Sequence, residues 1–303
     1  MKSIVGNEKT VKYLSDSLES GNVSHAYLFS GPLSVGKSTL ALEMARKLLC
    51  NAGGANDCAC HDCRLVASHS HPDLHYLSSA GAGVDEVREI NRQLSLSPYQ
   101  SKYRVAVITH SENLTVPALN SFLKTLEEPN SNTVIIMTTE NKGTLLETIV
   151  SRTRQVTFGI ISDKAVFEHL NQELGVKKEL AQDLTIVAAG RLGIAISLIA
   201  SEGSAAEDIQ NAERFLQVYR SDSLMDKFAL AGKLAGNKEG LREQISSIST
   251  AARRQLLASV ADNKKEDYSM MVSALDALAR GDELLRGNIN PKLVFESILL
   301  RSI

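Results

Sequence analysis

The sequence predicts an α/β domain built on a doubly wound parallel sheet, followed by an all-α remainder. Three observations predict it. Gly31-Pro-Leu-Ser-Val-Gly36-Lys37-Ser38 stands between a strand-length apolar run and a helical stripe, the context a G-x-x-x-x-G-K-[ST] phosphate loop requires. Strand-length apolar runs alternate with helical segments from 26 to 158, as in a parallel sheet covered on both faces. Beyond about 162 no strand candidate remains and only helical patterns follow.

The elements follow in order. Val11, Leu14 and Leu18 share a helical spacing that ends at Gly21-Asn22, which predicts an entry helix beside the phosphate loop. Ala26–Phe29 is the first strand, and Leu40, Met44 and Leu48 recur every four residues on the helix after the loop. Gly31 and Gly36 let the backbone turn tightly and aim N–H groups inward, while the new helix points its positive dipole end at a phosphate. Lys37 is placed to reach the outer phosphates. Ser38 offers a hydroxyl to Mg²⁺, and Thr39 is grouped with it as a cofactor-binding residue.

Cys50, Cys58, Cys60 and Cys63 follow, and they are all the cysteines of the chain. Four thiolates hold Zn²⁺ tetrahedrally, and the glycines between them let the chain wrap. Cys60-x-x-Cys63 is a standard ligand pair, whereas Cys58-x-Cys60 is tight, so His61 is an alternative ligand and four unliganded thiols a further alternative. A closed four-ligand site leaves no position for a reactive water, so this knuckle is read as structural.

His71-Pro-Asp73-Leu-His-Tyr-Leu77 enters a short strand. Val84–Leu96 is an amphipathic helix, with Val84, Val87, Ile90 and Leu94 on one face. Arg104–His110 and Asn132–Glu140 are apolar runs fitting strands buried on both faces. Between them, Asn120–Glu128 reads as a helix stopped by Pro129, and Gln155–Phe158 is a last short strand. Ligands of such sheets bind outside the carboxyl ends of the strands, which sets Thr109, His110, Thr138 and Thr139 on the rim of the phosphate loop. Lys164–Leu174, Lys177–Ala189 and Gly193–Ser201 read as three short helices, with Glu202-Gly-Ser-Ala as a linker. Longer helices fill 206–303, with Leu256, Val260, Met271, Leu275 and Leu278 on apolar stripes and Leu293–Leu300 closing the chain.

At 303 residues with a formal net charge of −2, the chain is long enough for two or three domains and lacks the strongly basic balance of a protein that coats nucleic acid. No apolar run has the length of a membrane span and the first residues lack a signal-peptide core, so a cytoplasmic location and no membrane partner are expected. Cysteines clustered in such a chain favour metal over disulfides.

Function turns on what is missing. A P-loop hydrolase holds Mg²⁺ with an acid at the end of a neighbouring strand and commonly uses a second acid to position water. Here that strand ends in Thr109-His110, with Glu112 two residues further on. The cradle for phosphate is kept and the strand-end acids are gone.

The order of GPLSVGKS, the four-cysteine knuckle, SHPDL, Lys124-Thr-Leu-Glu-Glu-Pro129, Ser151-Arg152-Thr153 and the closing Asn290-Pro-Lys-Leu resembles the bacterial DNA polymerase III clamp-loader subunits of the AAA+ class. The resemblance runs over nearly the whole chain and is strongest over 20–160. It implies a P-loop AAA+ domain at 1–160 with a zinc knuckle at 50–63, a three-helix lid at 161–203 and a helical collar for oligomerisation at 204–303. Within the family, loss of the two acids at 109 and 110 looks like the delta prime branch and unlike the ATP-hydrolysing gamma/tau branch. A sensor arginine expected near Gly193 is also missing, with Arg191 two residues away. By the same resemblance Arg152 is an arginine finger, offered in trans to ATP on an adjacent subunit. The small change to Thr153, where the family most often has cysteine, leaves it in place. The implied partners are gamma/tau and delta subunits and, through the assembly, the sliding clamp and primed DNA. The implied cofactors are structural Zn²⁺ and, as an open question, ATP with Mg²⁺ held by Gly31, Gly36, Lys37, Ser38, Thr39 and Thr139.

Two readings compete. The chain is a largely fixed arm of a clamp-loading assembly that hydrolyses little ATP, or it is an autonomous, gamma/tau-like AAA+ ATPase using another carboxylate, Glu112 or Asp73. A small-molecule P-loop kinase is disfavoured by the helical second half.

Overall fold

Five parallel strands hydrogen-bond in the order β2-β3-β4-β1-β5: β1 Ala26–Ser30, β2 Leu74–Ser78, β3 Arg104–Thr109, β4 Thr133–Thr139 and β5 Arg154–Thr157. The computed structural model describes residues 4–55, 58–79, 83–200, 204–236, 241–261, 265–286 and 289–300. The chain divides into two units, residues 1–173 with 190–193, and residues 174–189 with 194–303.

In the first unit the strand period of two sends alternate side chains to opposite faces. Tyr27, Phe29, Val105, Val107, Val134 and Ile136 enter one core, with Leu14 of α1 (Glu8–Glu19) and Leu40 and Met44 of α2 (Lys37–Leu49). On this side lies also Val66 of α3 (His61–Ala67). Ala26, Leu28, Ala106, Ile108, Ile135 and Met137 enter the other, against α4 (Val84–Leu94), α5 (Val116–Glu127) and α6 (Glu147–Arg152). The three central strands are buried throughout, which is why they read as continuous apolar runs rather than alternating ones. At the edges, β2 and β5 are partly exposed.

Helix α5 begins four residues before the expected Asn120, because Thr115 accepts the Ala118 N–H at 3.4 Å as an N-cap and Pro117 sits in the first turn. The short α3 and α6 were not expected; at 7 and 6 residues they hold too few turns to reveal a period. After β5 the expected helices are present as α7 (Asp163–Glu168), α8 (Lys178–Ala188) and α9 (Leu192–Ala200).

The second unit is helical among its described residues. Phe215 and Tyr219 of α10 (Ser204–Arg220), Leu230 of α11 (Leu224–Gly236), Ile248 of α12 (Leu241–Ala261), Met271 and Leu278 of α13 (Lys265–Arg286) and Phe295 of α14 (Pro291–Leu300) share one core. Leu256 and Leu275 pack against it partly buried. Glu202-Gly203 of the expected linker and the Val260 side chain lie outside the described residues, while Ser204-Ala205 of that linker open α10 instead, continuing into its helical run.

Candidate functional site

The loop between β1 and α2 lies where β1 is flanked by β4 on one side and β5 on the other. The Gly31 N–H donates to the Thr139 carbonyl at 3.2 Å, and Phe158 N–H donates to the Ser30 carbonyl at 2.8 Å. A Cβ at Gly31 would stand 2.4 Å from the Phe158 carbonyl oxygen, so the loop closes this tightly only on glycine. Gly36 is the N-cap of α2, and Ser38 and Thr39 lie in its first turn, half-buried and exposed respectively. Lys37 is folded onto its own loop: Nζ donates to the carbonyls of Gly31 at 2.7 Å and Pro32 at 2.6 Å. Burial pushes the Lys37 pKa down, and the charges of Glu140 and Glu112 pull against that shift. Thr139 ends β4 in register with Ser30, and its hydroxyl donates to the Asn141 carbonyl at 3.1 Å and accepts the Asn141 N–H at 3.2 Å.

The neighbouring β3 ends at Thr109 with no carboxylate. His110 then leaves the strand in the left-handed region at φ 54°, and its N–H donates to Thr138 Oγ1 at 3.2 Å. This bend starts a single 3₁₀ turn, Ser111–Asn113. Glu112 Oε1 accepts the Glu140 N–H at 3.2 Å and lies 4.0 Å from His110 Nδ1. Its Oε2 is buried without a hydrogen-bond partner among the described residues. His110, Glu112 and Glu140 each offer a ligand atom, all within 4.8 Å of one another. The strand end lacks acids, yet the rim does not. Glu140 escaped the sequence reading, although its place directly after a strand ending on this rim was a usable signal.

Asp73 is excluded from this chemistry by position. It precedes β2, at the opposite rim, and its carboxylate accepts the backbone N–H groups of Tyr99 at 2.6 Å, Gln100 at 2.9 Å and Ser101 at 2.9 Å. Arg104 Nη2 stands 3.4 Å away. Burial alone would raise its pKa; the three N–H groups and the Arg104 charge overcome this and hold it below the usual carboxylate value. His71 Nδ1 accepts the Asp73 N–H at 3.1 Å, so His71 and Asp73 of the SHPDL stretch serve to fix a loop.

Gly193, where a sensor arginine was sought, donates its N–H to the Ser34 carbonyl of the phosphate loop at 2.9 Å. A Cβ there would lie 2.9 Å from that same oxygen.

The four cysteines converge as expected, with ligand atoms all within 4.8 Å. Cys50 Sγ lies 3.8 Å from Cys58 Sγ and 3.7 Å from Cys60 Sγ. The edge of a tetrahedron with Zn–S near 2.3 Å is about 3.8 Å, so these thiols fit zinc. His61 is exposed at the start of α3 and is not in the group, which consists of Cys50, Cys58, Cys60 and Cys63. The Cys63 backbone N–H chiefly lowers the Cys60 thiol to about 7, and burial pushes Cys63 up to about 12. Arg46 Nη1 lies 3.3 Å from Cys63 Sγ while its other nitrogens hold Glu43, and Gly54 N–H points at Cys50 Sγ at 3.3 Å. Such outer contacts favour the thiolate form that a metal takes.

Arg152 ends α6. Its Nη1 donates to the Thr148 carbonyl at 3.0 Å and its Nη2 pairs with Glu127 Oε1 at 2.8 Å. Among the described residues no helix is long and apolar enough to cross a membrane.

Residues 6–161 match the family described as DNA polymerase III, delta subunit. The chain is 34% identical over 168 residues to DNA polymerase III subunit delta' of Bacillus subtilis, covering 54% of this chain and 51% of that protein. It is 30% identical over 224 residues to subunit delta' of Haemophilus influenzae, covering 73% of this chain and 68% of that one. The first match thus spans only about half of the relative's length. Among solved structures, a DNA polymerase III gamma subunit-related protein of Thermotoga maritima superposes with TM-score 0.52 at 21% identity, covering 95% of this chain and 98% of that one, a likeness of fold.

Proposed function

From the premise that the chain belongs to the DNA polymerase III delta prime family, a clamp-loader branch of the AAA+ class, we propose that it serves as a non-hydrolysing or weakly hydrolysing arm of a clamp-loading assembly in the cytoplasm. One observation carries the reading: an intact phosphate loop shares its rim with the end of β3, one strand away across β4, and that end is Thr109-His110 with no acid. In this proposal Gly31, Gly36, Lys37, Ser38, Thr39 and Thr139 hold a nucleotide without efficient cleavage. The backbone N–H groups of the loop take the phosphates, and Lys37 exchanges its two loop carbonyls for phosphate oxygens.

Arg152 is offered to ATP on an adjacent subunit, where a guanidinium offsets charge that develops as the terminal phosphoryl group leaves. Supplied in trans, such a group is worth about 10³–10⁵ in rate. The division into a nucleotide-binding domain at 1–160, a lid at 161–203 and a collar at 204–303 belongs to this proposal. So do assembly with gamma/tau and delta subunits and action on the sliding clamp and primed DNA. Zinc held by the four cysteines would be structural, since four thiolates would fill every ligand position.

The test has two arms. Mixed with gamma/tau and delta subunits, the chain should enter one complex on sizing. Alone, it should show negligible ATP turnover with Mg²⁺. Robust turnover abolished by Lys37→Ala would overturn the arm reading in favour of an autonomous ATPase. One observation favours that second reading: Glu112 Oε2, on the same rim as Lys37, is buried without a hydrogen-bond partner among the described residues.

A further inference from the structure

We propose that Glu127 is a positioning residue for Arg152, holding its guanidinium ready for the terminal phosphate of a nucleotide bound to a neighbouring subunit. The inference rests on the reading of Arg152 given above. It starts from three contacts. Arg152 closes α6 and Glu127 closes α5, the two helices packed through Phe122, Leu126 and Ile149 in one core. Glu127 Oε1 takes Nη2 at 2.8 Å while the Thr148 carbonyl takes Nη1 at 3.0 Å. Ser151 Oγ lies 3.5 Å from Nη1, so at least two of the five guanidinium N–H groups lack a partner among the described residues.

The geometry suits presentation rather than stability. Both side chains stay open to solvent, Arg152 at 36% and Glu127 at 50% exposure, and pairs this exposed contribute little to folding. What the pair does is reduce the many rotamers of an arginine at a helix end to one. Two anchors from different helices fix the plane of the guanidinium, and its remaining N–H groups keep the fork that matches phosphate oxygens. An arginine ordered before the neighbour docks loses less freedom when it meets the phosphate, and a carboxylate behind it keeps the plane oriented while charge develops in front. The adjacent Glu128, which leaves the helix as its C-cap before Pro129, serves as the internal comparison.

The experiment is a double-mutant cycle on ATP hydrolysis by the reconstituted assembly, with only this chain altered. Glu127→Ala is expected to lower kcat about tenfold with KM for ATP unchanged, as a misplaced catalytic group does. Glu127→Gln, which keeps an acceptor oxygen, is expected to fall between, and Glu128→Ala to match the unaltered protein. On an Arg152→Ala background Glu127→Ala should do nothing more. A full effect there, or an unaltered kcat in Glu127→Ala while Arg152→Ala is slow, overturns the positioning role. An unaltered rate in Arg152→Ala itself overturns the arginine reading and the positioning role with it. A second readout needs no partner: the Arg152 side-chain Nε–H NMR signal should gain mobility in Glu127→Ala and not in Glu128→Ala, and equal mobility in both would remove the pair from the account.

Discussion

The Gly193 N–H donates to the Ser34 carbonyl at 2.9 Å, tying the first turn of α9 to the phosphate loop. A Cβ at 193 would press on that oxygen at 2.9 Å and on Ser34 Cβ at 3.1 Å. Gly193, near which the resemblance expects a sensor arginine, therefore takes a side chain only if the loop backbone at Ser34 shifts. Gly193→Arg should strain this contact by about 1–3 kcal/mol. Thermal unfolding is the measure, and a lower Tm without tighter nucleotide binding is expected. An unchanged Tm together with stronger ATP binding would mean the contact yields freely.

Asp73 supports a second prediction, on pH. Its carboxylate is held by three backbone N–H groups and Arg104, with a folded pKa below the ordinary value. For an acid so shifted, the stabilisation is fully present above the unfolded pKa of about 3.9 and is lost as pH falls through the lower folded value. Asp73→Ala should remove about 3 kcal/mol or more at neutral pH, because the N–H groups and Arg104 are left buried without it. Below about pH 4 the difference between the two proteins should shrink. Urea unfolding across that range gives the answer, and a difference that stays constant with pH would contradict the assignment.

Neither of these two sites is legible in the sequence, whereas much of the fold is. The central strands were plain because burial on both faces forces unbroken apolar runs such as Val105–Ile108. The four-cysteine cluster was plain because four thiols in a short span suit a metal, although only geometry separates His61 from the group. Hidden from the sequence were relationships between distant segments. The seat of Gly193 on Ser34 and the pairing of Glu127 with Arg152 join residues that no local pattern connects. Glu112 lies past the strand end, as its spacing from Thr109 indicates, but its contact with the Glu140 N–H depends on the positive φ at His110, which no local pattern announces.

Removal of the metal gives a third prediction. Cys50 ends α2, Cys60 is the N-cap of α3, and Cys58 and Cys63 flank that turn, so one ion would join two helices and the loop between them. The protein should carry about one zinc per chain by elemental analysis, and Cys60→Ser should reduce it. Because ligand binding couples to folding of the ligating segment, a strong chelator should raise amide exchange in α3. Core strands β1, β3 and β4, buried independently of the ion, should stay protected. Uniform loss of protection through the sheet would make the ion a support of the whole domain instead.

The last prediction concerns Glu112. A carboxylate oxygen buried without a partner is costly unless a cation or proton meets it, and His110 and Glu140 stand close enough to share one. Manganese suits a set of one imidazole and two carboxylates, and bound beside the phosphate loop it would add a counter-charge that Lys37 alone does not supply. Mn²⁺ should therefore tighten binding of a non-hydrolysable ATP analogue, and Glu112→Gln should remove about tenfold or more of that gain. Metal-free analogue binding should not weaken in the variant, because Glu112 hydrogen-bonds the Glu140 backbone and its charge, which is felt at Lys37, opposes an incoming phosphate. If Glu112→Gln weakens binding equally with and without metal, Glu112 acts by shaping the rim. If metal brings no gain in either protein, the cluster is a hydrogen-bonded bend and the phosphate loop binds nucleotide by its backbone and Lys37 alone.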